Sequence, residues 1–163
     1  MEIVPISSAE LPIVSALSRK IWPICYKDII SEEQIDYMLN KMYALEALQD
    51  NVQKGHRFAL IHTGGEAMGF CSFEVHFPDP GISKLHKLYV LPNQHHQGMG
   101  SALLSYAVQE AKKDQCHTIF LQVNKKNPAI AFYQKKGFTI KEEAVFDIGQ
   151  GFVMDDFIMH MSW

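Results

Sequence analysis

Apolar residues recur at helical intervals in the first third of the chain and then switch to alternation. Leu11, Val14, Leu17 and Ile21 fall on one face of a helix, and Ser7 with Glu10 ahead of them has the spacing of a capping box. Ser31 with Gln34 repeats the device before Ile35, Met38, Leu39 and Met42. Leu45, Leu48 and Val52 then lead to Gly55, so this stretch reads as a helical hairpin. Between the two helical blocks, WPICYKDI is aromatic and broken by Pro23, which predicts an irregular loop that overlies a pocket.

From Arg57 the period is two. FALIH, the pair Gly64-Gly65 and AMGFCSFEVH carry the β-branched and aromatic enrichment of a hairpin. PDPG at Pro78 to Gly81 interrupts the chain, and KLHKLYVLP reads as a third strand stopped by Pro92. A glycine turn then opens an amphipathic helix, Gly100 to Lys113, with Leu103, Leu104, Ala107, Val108 and Ala111 on its apolar face. With TIFLQVN after it, that helix makes one right-handed βαβ unit. Asn127 as N-cap and Pro128 at the first helical position start AIAFYQKK, which Gly137 closes, and FTIKEEAVFDI with FVMDDFIMHM forms a hairpin around Gly149 to Gly151. The coarse order ααβββαβαββ is that of a mixed α/β (α+β) fold, a sheet flanked by helices, in a single domain over residues 1–163.

The chain of 163 residues is 47% apolar and 20% charged, and no stretch approaches the apolar length of a membrane span. The start MEIVPISSAELP lacks a basic segment followed by an apolar run, so a cytoplasmic location is expected. Cys25, Cys71 and Cys116 are odd in number and lie far apart, which suits buried reduced thiols better than a disulfide framework or a structural zinc site. With 15 basic against 18 acidic residues, the net charge of -3 offers a nucleic acid no general attraction.

The loop Gln94 to Ser101 lies between a strand and a helix. Free first-turn N–H groups and the helix dipole favour an anion there, and Gly98 and Gly100 let a ligand approach the backbone. A dinucleotide fingerprint needs a third glycine and several βαβ units, and a P-loop needs Gly-Lys-Ser/Thr. Neither is present, which disfavours a nicotinamide-binding module.

The succession of LHKLYVLP, QHHQGMGSALL, TIFLQVN and NPAIAFYQKKGF, with the closing hairpin, resembles the GNAT superfamily of N-acetyltransferases across nearly the whole chain. The family loop Arg/Gln-x-x-Gly-x-Gly/Ala falls on His95, His96, Gln97, Gly98, Met99 and Gly100, with Ser101 next. The later run Asn-x-x-x-x-Phe-Tyr-x-x-x-Gly-Phe falls on Asn127, Phe132, Tyr133, Gly137 and Phe138. The resemblance implies a mostly antiparallel twisted sheet with one parallel unit. It implies acetyl-coenzyme A as cosubstrate without a metal, with the pyrophosphate on the loop backbone and the pantetheine arm along Leu88, Tyr89 and Val90. His95 stands where the family has Arg or Gln, so only the backbone cradle carries over there.

Acetyl transfer from a thioester to an amine needs a neutral nucleophile, a polarised carbonyl and a proton for the thiolate. By the resemblance Tyr133 lies near the coenzyme sulfur as the acid, and a main-chain N–H near Val90 polarises the carbonyl. Glu74, in the apolar run FCSFEVH, matches a strand where relatives keep a glutamate acting through water, and is the first choice of base. His86, two residues before Leu88 and so expected on the same side of the strand, is the second. His95 and His96 suggest no third metal ligand by spacing.

In the family the helical hairpin and the loop before it flank the acceptor, which selects Trp22, Tyr26 and Glu74 as acceptor-site residues. Glu32, Glu33, Asp36, Asp155 and Asp156 are the carboxylates available to a cationic acceptor. A small primary amine such as a polyamine is the expected acceptor. A protein or peptide α-amine, and a non-catalytic coenzyme A sensor, are the alternatives. The apolar strand FVMDDFIMHM either completes the core or forms an intersubunit sheet in a homodimer.

Overall fold

The computed structural model of the protein describes residues Met1–Trp163. Its strands are β1 (Glu2–Ile6), β2 (Arg57–Thr63), β3 (Glu66–Val75), β4 (Ile82–Val90), β5 (Thr118–Asn124), β6 (Thr139–Gly149) and β7 (Phe152–Ser162). Its helices are α1 (Leu11–Cys25), α2 (Glu32–Met42), α3 (Leu45–Gln53), α4 (Met99–Lys113) and α5 (Ala129–Lys135). The strands form one sheet in the order β1-β2-β3-β4-β5-β7-β6, antiparallel except for β4 beside β5.

Most of these elements follow the sequence pattern, with two corrections and one open choice decided. The opening EIVPI is a strand, and its Pro5 is tolerated because β1 is an edge. Of the segment expected as a loop around Pro23, Trp22 to Cys25 form the last turn of α1, and only the part from Tyr26 onward is turn. Proline's fixed φ suits a helix, and Tyr26 N–H still closes onto the Trp22 carbonyl at 3.0 Å. Of the two readings of the closing strand, β7 completes the sheet, paired with β5 from Asp156 to Ser162 on one side and with β6 on the other. The free edge on that side is β6.

The sheet buries a different core on each face. On one face α4 packs Met99, Leu103, Leu104, Ala107 and Val108 against Ala59, Ile61, Cys71, Phe73, Leu85 and Val90. On the other, α1, α2 and α3 cover Phe58, Leu60 and Phe70. Alternation along β2 and β3 feeds both layers at once, which is why these strands read as nearly continuous apolar runs.

Two irregularities shape the middle of the sheet. The β4–β5 ladder holds only at Ile82↔Thr118, Ser83↔Ile119 and Lys84↔Phe120, after which the two strands separate. The β3–β4 register also shifts, with Ser72 opposite Lys87 and Phe73 opposite Leu85, so His86 is an extra residue in β4. Gly69 fits closely beside the end of β4: a methyl group there would lie 2.5 Å from the Tyr89 carbonyl oxygen. Gly69→Ala is therefore expected to lower stability by about 2 kcal/mol through displacement of backbone. Denaturant unfolding of the two proteins measures this, and an unchanged midpoint would show that β4 yields without cost.

Candidate active site

Where β4 and β5 part, a cavity of about 850 Å³ opens between the sheet, the end of α1, the glycine loop and the start of α5. That volume suits an extended organic ligand together with a second, smaller one. Beyond Lys84 the outer backbone edge of β4 has no partner strand, so its main-chain groups border the cavity without a ladder, and the Val90 carbonyl is held by a side chain instead. Leu88 and Tyr89 send their side chains to opposite cores, and Val90 is buried against α4. These three residues therefore offer the cavity mainly main chain.

At one end of this edge lies the glycine loop. His95 turns its Nε2 back to the Val90 carbonyl at 3.0 Å, which ties the loop to the strand. Gly98 adopts φ +80 as N-cap of α4, a conformation that costs glycine little. The first helical bond runs from Ala102 N–H to the Gly98 carbonyl, leaving the N–H groups of Met99, Gly100 and Ser101 free at a positive helix end. The Met99 side chain belongs to the core, while His96 and Gln97 are exposed. The loop thus presents three free backbone N–H groups at one point, and the His95 side chain is committed to the strand.

Across the cavity, Asn127 Oδ1 accepts from Ala129 N–H and starts α5, as the N-cap reading expected. One turn on, Tyr133 is nearly buried, its ring wedged edge-on between Phe132 and Phe138. Burial raises its phenol well above the ordinary value, so it stays protonated. Trp22 and Tyr26 line the opposite wall from the end of α1, with rings 4.4 Å apart. Tyr26 and Tyr89 share a hydroxyl contact of 2.8 Å, and burial pushes the Tyr26 phenol up to about 12.

The two predicted bases lie together, His86 on the cavity wall and Glu74 off it. Because His86 is the extra residue of the bulge, it does not share a side with Leu88, which packs toward α4. His86 stacks instead on His56 with ring centroids 3.8 Å apart. Its Nε2 lies 2.9 Å from Glu74 Oε2, and His56 Nε2 lies 3.4 Å from the same oxygen. His86 lines the cavity, whereas Glu74 and His56 do not, so the cluster reaches the cavity through the His86 ring. Burial lowers both imidazoles and raises the Glu74 carboxyl. The two rings stack within 11° of parallel, and their ligand nitrogens and the Glu74 carboxylate oxygen all lie within 4.8 Å of one another, close enough to share an ion.

One carboxylate does reach the cavity. Strand β7 alternates, sending Asp155 outward to Lys125 at 2.9 Å and Asp156 inward, where only 3% of it is exposed. Asp156 lines the cavity and takes part in no ion pair. Burial first, and Asp155 second, push its carboxyl up to about 6, with Lys84 and Lys125 opposing.

The profile of the Acetyltransferase (GNAT) family matches residues 17–138, three-quarters of the sequence and all of this site except β7. The chain belongs to the GNAT acetyltransferase family. Among GNAT relatives, a spermidine N(1)-acetyltransferase of Thermoplasma acidophilum is 26% identical over 161 residues, covering 95% of this chain and 96% of that one. The crystal structure of PaiA N-acetyltransferase from Thermoplasma acidophilum, in complex with coenzyme A, superposes with a TM-score of 0.84. It is 26% identical and covers 99% of this chain and 98% of the other. The ribosomal-protein-S18-alanine N-acetyltransferase of Escherichia coli shares the fold at a TM-score of 0.75 and 19% identity, covering 99% and 92% of the two chains.

Within this GNAT fold, the sequence pattern located the loop, the β4 edge, Asn127, Tyr133, Trp22 and Tyr26, and all of these border one cavity. It did not single out Asp156 from its neighbour. The available signal was parity, since Asp156 is in phase with Phe152 and Met154 and out of phase with Val153 and Asp155.

Proposed function

We propose that this protein transfers the acetyl group of acetyl-coenzyme A to the primary amine of a small cationic molecule such as a polyamine. The observation that carries this reading is a single cavity bordered by a free strand edge, an anion cradle at one end of it, and a protonated phenol on the facing wall. The pyrophosphate fits the N–H groups of Met99, Gly100 and Ser101, within the loop His95, His96, Gln97 and Gly98. The amide-bearing pantetheine arm adds to the open edge of Leu88, Tyr89 and Val90 as a further strand would.

In the reaction the neutral amine attacks the thioester carbon, and the tetrahedral intermediate collapses with cleavage of the C–S bond. Tyr133 donates its hydroxyl proton to the departing sulfur and recovers one from the nitrogen of the intermediate, so that no free phenolate persists. Trp22 and Tyr26 form the acceptor side, where aromatic faces suit a cation. Glu74 and His86 are assigned the support of β4 at its bulge. A lowered imidazole holds a proton poorly near neutrality, and Glu74 lies off the cavity.

The small-amine reading is supported by the similarity to a protein named for spermidine acetylation. Coenzyme A as cosubstrate is supported by its presence in the similar Thermoplasma acidophilum structure. Free-thiol release from acetyl-coenzyme A, measured with polyamines, amino acids, arylalkylamines and short peptides, tests it. Turnover with polyamines is expected. Turnover confined to peptides would replace the acceptor class, and tight coenzyme A binding without turnover would favour a sensor.

A further inference from the structure

Asp156 is a carboxylate with no obvious structural task. It is 3% exposed, lines the cavity, and has neither an ion pair nor a side-chain donor, whereas Asp155 beside it is paired with Lys125. A buried charge without a partner is costly, and such groups are retained where a ligand completes them. Asp156 sits opposite Asn124 in the β5–β7 ladder, on the strand that leaves β4 to form the cavity. The groups that act on it are Lys84 from β4, Lys125 beyond β5, Asp155 on its own strand and the Tyr26 phenol from α1. Neither lysine comes within ion-pair distance of it.

Resting on the acetyl-transfer reading above, we propose that Asp156 seats the acceptor as an ammonium ion and takes the proton that frees its nitrogen for attack. The step balances: one N–H bond of the ammonium breaks, the proton passes to a carboxylate oxygen, and the lone pair so released forms the bond to the thioester carbon. Asp156 returns the proton to solvent after the product leaves. In a dry cavity this transfer converts two charges into none, which low dielectric favours, and burial has already made the carboxylate more basic than usual.

The carboxyl of the folded chain titrates above its unfolded value, so its ionisation costs stability as pH rises through about 6. Asp156→Asn keeps the shape and removes that cost, and is expected to melt no earlier than the wild type at neutral pH. The test compares wild type and D156N with diaminobutane, charged at neutral pH, and with trifluoroethylamine, which is already uncharged. D156N is expected to lose about 100-fold in kcat/KM for diaminobutane and only a few-fold for trifluoroethylamine. For diaminobutane the wild-type kcat/KM should rise to a break near pH 6 and level off, whereas D156N, which must draw on free amine, should climb through pH 6 without a break, with acetyl-coenzyme A affinity unchanged. Equal losses on both amines, or a break near pH 6 that persists in D156N, would overturn the role of Asp156 while leaving acetyl transfer intact. A wild type that binds acetyl-coenzyme A and acetylates no amine would overturn the underlying reading and this assignment with it.

Discussion

Tyr133→Phe is expected to lower kcat about 1000-fold while leaving the dissociation constant of acetyl-coenzyme A within about twofold of wild type. The substitution removes one oxygen and keeps the ring wedged between Phe132 and Phe138, so the helix and cavity wall should persist and the melting temperature should barely change. What is lost is the proton for the sulfur. The phenol is held protonated by burial, so no pH in the working range substitutes for it, and the loss should be similar across the whole pH profile. Stopped assays of thiol release, with coenzyme binding measured separately, check both halves. Turnover within about threefold of wild type would mean that the thiolate departs without this acid.

Ser101→Glu is expected to weaken coenzyme A binding about 100-fold without harming the fold. Ser101 is the third residue of α4 and its N–H is one of the three left free at the helix start. Glutamate at that position favours the helix, because its side chain can fold back on the N-cap N–H and its charge complements the dipole. The same carboxylate then stands where the pyrophosphate would. Two like charges about 4 Å apart cost about 4 kcal/mol near a protein surface, and partial screening reduces this to about 3 kcal/mol, or about 150-fold. Calorimetric titration reads the affinity and thermal melting reads the fold. Loss of binding with a raised or unchanged melting temperature is the expected pair of results, whereas unchanged affinity would remove the phosphates from the loop.

Much of this architecture was legible because local chemistry and pattern agreed. Both serine caps form, with Ser7 N–H reaching the Glu10 carboxylate at 2.8 Å and Gln34 N–H reaching Ser31 Oγ at 3.1 Å. The turn glycines, the amphipathic stripe of α4 and the alternation of β2 and β3 behaved as their periods require. The exceptions have identifiable causes. Pro23 is a helix breaker by propensity, but the helix was already fixed by Ile21 and Trp22 in the core, and tertiary packing outweighed the loss of one N–H. Strand β1 is short and contains Pro5, so its strand character is visible only once β2 lies beside it.

The amino-acid sequence by itself determined most of the element types, the glycine turn that opens α4 and the helix that carries Tyr133, since each depends on residues within a turn or two of one another. Tertiary structure alone decided the chemistry of the carboxylates. An extra residue in β4 turned His86 to the Glu74 and His56 side of the sheet, and no local rule announces a bulge before the neighbouring strand fixes the register. Asp155 and Asp156 are identical as letters. Only the separation of β4 from β5 and the phase of β7 make one a surface ion-pair partner and the other a buried group whose carboxyl is pushed up to about 6. Burial and electric field are properties of the assembled sheet, and they select which of two equal residues can do the work.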